Sequence, residues 1–205
     1  MTRAVRIVGS VACLAAAAVA LLLAVDVRAW QGRVTADDVR FRTDPARRDL
    51  WRPGQIVPFG SARRLLALDD DLEYRQALRL YQLARPLEPR FDPESAADRV
   101  DAQLALTAAA HDLPDGLRRA QVTNLLGVLQ TALASGDPRA AQTFMESAVS
   151  SFVHAIELDA RDDAPKFNLE FALNQLRGED EQQTRGRGRQ GQRGQAGLNE
   201  LGRGY

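Results

Sequence analysis

Side chains for covalent or metal chemistry are scarce in this chain. Its one cysteine, Cys13, lies within the first apolar run, so the remainder has no disulfide and no thiolate chemistry. The two histidines, His111 and His154, are not paired at metal-ligand spacing, and Glu157, three residues past His154, makes no site by itself. Aromatic residues are only 6% of the total while alanine and leucine abound, which favours helices over a β-sandwich. The 27 basic and 27 acidic residues balance to a formal net charge of zero, so nothing pulls the whole chain toward nucleic acid or anionic lipid. Lys166 is the single lysine, and the preference for arginine reads as a GC-rich coding bias rather than a function. The chain also lacks a phosphate-cradling glycine loop, a nucleophile elbow and a kinase signature. An enzyme is therefore not expected, nor is a catalytic residue, a cofactor or a metal site.

What is present starts with residues 7–25, an apolar run without a charge. As a helix these residues span roughly 28 Å, close to the thickness of bilayer hydrocarbon. The run predicts a single transmembrane helix within an N-terminal segment, residues 1–28. Arg3 and Arg6 with Val27-Arg28-Ala29 also fit a cleaved signal peptide, but the run exceeds the usual length of such a core. A retained anchor is the expectation. Arginines flank both ends, with Arg28, Arg33, Arg40 and Arg42 following the run. The short N-terminal side is easily left in the cytoplasm, so the C-terminal part is placed outside a cell membrane.

Residues 29–60 carry Pro45, Pro53, Pro58, Gly54 and Gly60 and read as an irregular stalk. Trp30 stands where an interfacial anchor would, and Val39 with Phe41 alternates like a short strand. Residues 61–178 read as one helical domain. Leu65, Leu66 and Leu68 mark a short first helix, and Asp70 with Glu73 has capping-box spacing for the next. Asp92-Pro93 opens a helix whose apolar stripe is Ala97, Val100, Leu104 and Ala108. Pro114-Asp115-Gly116 is a turn, followed by helices through Leu126 and Phe152, and a last one with Phe167, Leu169, Leu173 and Leu176. Residues 179–205 are low in complexity and are expected to be disordered, since they offer little to bury.

Two helices share a spacing. Ala77, Tyr81, Ala84 and Pro89 are separated by four, three and five positions, and Ala148, Phe152, Ala155 and Ala160 repeat those steps. Small residues let helices approach, an aromatic fills the gap between them, and a proline ends the unit. This resembles the second helix of a tetratricopeptide repeat, and Leu126-Gly127 resembles the first. Leu169 continues the register, with Glu170 in place of the usual glycine, which suggests a terminal capping helix with a polar outer face. The resemblance implies an all-α, divergent helical-hairpin array that binds protein. The arrangement of span, repeat and tail, with Ala164-Pro-Lys-Phe-Asn-Leu-Glu-Phe-Ala-Leu, resembles bacterial membrane-bound tetratricopeptide proteins that accompany MoxR-type ATPases and von Willebrand A-domain proteins. That resemblance implies a scaffold or adaptor role in cell-envelope assembly.

Other candidates weigh less. The cluster of Asp69, Asp70, Asp71 and Glu73 lacks the ligand alternation of a calcium loop, and helix capping explains it. Arg185, Arg187, Arg189 and Arg193 make one basic patch in the tail, without aromatics to stack on bases. The alternative function follows from that patch: a cytoplasm-facing protein whose tail holds nucleic acid or anionic lipid. For the favoured orientation no nucleic acid is expected. An enzyme would have to draw on Asp70, Glu73, His111 and His154.

Overall fold

The computed structural model describes residues 2–85 and 93–178. Pro89 and the tail, including Arg185, Arg187, Arg189 and Arg193, lie outside the described residues. Among the described residues the regular structure is entirely helical. The chain divides into two compact units, Met1–Pro114 and Asp115–Tyr205. The helices expected over 61–178 thus fall in both units, divided at the Pro114-Asp115 turn.

The first unit begins with α1, Thr2–Thr43, a continuous helix of 42 residues. Its apolar part is long and apolar enough to cross a membrane, with Ile7, Val8, Leu14 and Leu21 exposed. The expected stalk is corrected here: residues 29–43 continue the helix, and the irregular chain starts only after Thr43. No proline interrupts this stretch until Pro45, which disfavours helical backbone at Asp44. Arg40 and Arg42 in the last turn also suit the negative end of the helix dipole. Val39 and Phe41 are accordingly helical, not a strand.

A 3-10 turn, Pro58–Gly60, leads into α2, Ser61–Leu65, and then α3, Asp69–Ala84. The capping box does not form. Leu68 is the N-cap without a side-chain bond, and Asp69, Asp70 and Asp71 fill the first turn, where negative charge favours the dipole. Helix α4, Pro93–Asp112, packs on α3. Its buried face is Ala102, Leu106 and Ala109, while Val100 and Leu104 from the expected stripe are exposed. Helix α4 carries apolar residues on two faces, so periodicity alone does not select between them. The alanine-bearing face admits the closer approach.

In the second unit, α5 (Gly116–Gly136) and α6 (Ala141–Leu158) pack as a hairpin. Asp115 caps α5 by accepting from the backbone N–H of Leu117 and Arg118. A final helix, α7, covers residues 164–178. The Asp162 carboxylate accepts from Ala164 N at its start, at 2.9 Å. Ala134, Met145, Ala148, Phe152 and Ala172 form the core of this unit, with Leu169 and Leu176 packed against it.

Candidate functional site

The second unit is built around one close helix contact. Gly127 on α5 faces the ring of Phe152 on α6, and Phe152 is buried. A Cβ on Gly127 would stand 2.5 Å from Phe152 Cε1. The absent side chain is thus the space the ring occupies. Nearby, Ser151 Oγ donates to Gln130 Oε1 at 2.8 Å, so the buried amide of Gln130 is not left without a partner. Helix α7 is pinned to α5 by Asn168 Nδ2 donating to Asn124 Oδ1 at 2.9 Å. Ala148 and Ala155 flank Phe152 on the same buried face of α6, and Leu126 is buried on α5.

With Leu169, Ala172 and Leu176 turned into this core, α7 presents the opposite side to solvent. That side is polar only in part: beside the exposed Glu170 and Asn174 it carries Phe167, 71% exposed, and Phe171, 48%. These two are four positions apart and so share a face. A shallow groove of about 390 Å³ runs beside Ile156, Leu169 and Leu173, edged by Lys166, Glu170 and Arg177. An apolar floor with charges of both signs at its rim is suited to a helix or extended segment, whose backbone needs no charged partner.

In the first unit the matching small–aromatic–small residues, Ala77, Tyr81 and Ala84, are all buried on one face of α3. Burial pushes the Tyr81 phenol above its usual range. Three acidic residues of α1 then tie the chain that follows. Asp26 accepts from Ile56 N at 2.9 Å and from Val57 N at 2.7 Å. Asp37 accepts from Trp51 N at 2.7 Å and pairs with Arg33 and Arg40 at 2.7 and 2.8 Å. Burial pushes the Asp37 carboxyl up, but the Trp51 amide and the two arginines outweigh it and hold it below the usual range. Asp38 accepts from Trp51 Nε1 and from Arg75 on α3, both at 2.8 Å. Arg75 also pairs with Asp71.

Trp30, expected at the membrane interface, is instead 3% exposed and lines a cleft of about 680 Å³ with Trp51, Arg63, Asp69 and Glu73. Arg63 and Asp69 pair across 2.7 Å. The carboxyl of Glu73 is raised by burial first, and then by the charges of Asp112 and Asp70. His111 ends α4 beside Asp112, exposed, in this first unit, while His154 is exposed on α6 beside Glu157 in the second. Of the four residues an enzyme would need, only Glu73 lies in the cleft; Asp70 is exposed in the first turn of α3.

Sequence reasoning passed over Asp26, Asp37 and Asp38, whose partners outside α1 lie 13 to 37 positions away. The local signal is confined to Asp37, which has Arg33 and Arg40 at helical spacing on either side. It passed over the outward direction of Phe167 and Phe171 as well, since α7 carries apolar residues on two faces. No family model, no curated protein and no solved structure matches this chain.

Proposed function

We propose that this protein is a non-enzymatic, membrane-tethered adaptor that grips an apolar helix or extended segment of a partner protein. The exposed pair Phe167 and Phe171 on α7 carries the reading, and the separate groove at Leu169 and Leu173 adds apolar surface on the same helix. Leaving two phenylalanines to water forgoes a few kcal/mol of burial, which a partner restores on docking. The contact of Gly127 with Phe152 and the buried triplets Ala77-Tyr81-Ala84 and Ala148-Phe152-Ala155 support a divergent tetratricopeptide-like array as its framework. Retention of the anchor has support from Asp26. Cleavage after Ala29 would remove the carboxylate that holds Ile56 and Val57. The body faces away from the cytoplasm, and the resemblance in arrangement favours as its partners the von Willebrand A-domain membrane proteins that accompany MoxR-type ATPases, in envelope assembly.

A photo-crosslinking side chain at position 167 or 171 of the full chain, in native membranes, tests this. The expected result is an adduct with a second protein that is absent when the probe is moved to the exposed Arg161. Loss of every protein adduct at 167 and 171 from chain that is intact in the membrane overturns it.

A further inference from the structure

The loop that Asp26 holds stands level with the end of the apolar run. Asp26 is the first residue after Val25, and it is 1% exposed. Helical side chains lean toward the helix N-terminus, here the apolar end. Its carboxylate bonds to Ile56 N and Val57 N within 3.0 Å, which fixes that backbone at the depth of the last apolar turn. Leu23 and Val27, on either side of Asp26, are half-buried, so the folded body reaches α1 before the run is over.

From these amides onward the loop leaves apolar groups exposed. Ile56 is 58% exposed and Phe59 83%. Phe59 has φ of 66°, a left-handed backbone that is disfavoured for a residue with a Cβ. In water, the strain and the exposure of Phe59 are both unfavourable. At the boundary of headgroups and acyl chains the ring gains burial, and that gain offsets the strain. Arg28 is exposed about 4.5 Å past Val25 along the helix, within reach of lipid phosphates if the run up to Val25 spans the hydrocarbon.

We infer that Ile56 and Phe59 form a second membrane contact, a wedge seated in the interfacial layer of the same bilayer that α1 crosses. It rests on the reading of α1 as a retained span. The tilt of the body against the membrane is then set by two points of attachment rather than one.

Site-directed nitroxides on the full chain test it, in a Cys13→Ser background reconstituted into phosphatidylcholine–phosphatidylglycerol vesicles. One label each replaces Leu14, Ile56, Phe59 and Ala36. Ala36 is exposed about 16 Å past Val25 along α1. Collisions with oxygen report lipid, and collisions with a soluble nickel chelate report water. Labels at 56 and 59 are expected between the deep Leu14 label and the wet Ala36 label, with the nickel collision rate several-fold below that at Ala36. Asp26→Ala is expected to return the label at 59 to water. Labels at 56 and 59 as wet as Ala36, with Leu14 in lipid, overturn the wedge and leave the span standing. A wet Leu14 overturns both.

Discussion

Gly127 and Phe152 meet so closely that the smallest side chain on one would overlap the ring of the other. The added Cβ would lie 2.5, 2.8 and 2.9 Å from three ring carbons. Phe152 is 1% exposed, so the ring has no open side to move into. Gly127→Ala therefore sets a helix-propensity gain of about 1 kcal/mol against overpacking of about 1–3 kcal/mol. A net loss of stability is expected. Phe152→Ala should cost about 3–5 kcal/mol alone. The double variant should lose less than the sum, because the alanine methyl fills part of the hole. Urea unfolding of the full chain in detergent, followed by circular dichroism, reads all three.

Asp26→Ala removes a charged acceptor shared by two backbone amides. A loss of about 2–3 kcal/mol is expected in the first unit. Hydrogen exchange at the Ile56 and Val57 amides should accelerate in the variant, while that of the Gly127 segment should not. Unchanged protection at Ile56 and Val57 would show that the carboxylate does not hold the loop.

Acid should loosen the end of α1. Arg47 first, and then Arg33, hold the Asp49 carboxyl down to about 2. Asp37 is depressed as well, because its amide and arginine partners outweigh its burial. A depressed carboxyl contributes stability that is present above its unfolded pKa and is lost as pH falls through the folded one. The loss is therefore expected from about pH 4 down to about pH 2. Asp37→Asn should lower stability at neutral pH and flatten that acid limb, as seen in denaturant midpoints across the range.

Glu73 should act in the opposite sense. Its carboxyl is raised by burial, and then by Asp112 and Asp70, so its charge opposes folding once the pH exceeds the unfolded value. Glu73→Gln is expected to raise the denaturant midpoint at neutral pH and to give no gain near pH 4, where the carboxyl is largely protonated.

Phe167→Asp with Phe171→Asp should separate recognition from folding. Both side chains point away from the core, so stability is expected to fall by about 0.5 kcal/mol at 167 and about 1 kcal/mol at the half-buried 171. Capture of a partner should be abolished. An unfolded double variant would show instead that the pair supports the fold.

The helices, the apolar run and the small–aromatic–small triplets were legible because each is a local pattern. Pro45, Pro93 and Asp115 mark helix limits through backbone sterics and capping, and those act within a few residues. Gly127 stood out through the resemblance of Leu126-Gly127 to the first helix of a repeat, and the structure sets it against Phe152. Other features had no such local mark. Residues 29–43 read as stalk, because the polar groups that stabilise the helix there, Asp37 and Asp38, find Trp51 and Arg75 only in the folded chain. Likewise, α4 offers two apolar stripes, and packing buried the one with Ala102 and Ala109 and left Val100 and Leu104 outside.

Apart from residues 29–43, the amino-acid order alone determined where helices form and which stretch is apolar enough for lipid, because hydrogen bonding within a helix and transfer from water depend on neighbours in the chain. Tertiary structure decided which face of each helix turns inward and which distant amides each carboxylate holds. Those choices rest on shape and charge complementarity between segments tens of residues apart, and local periodicity does not encode them.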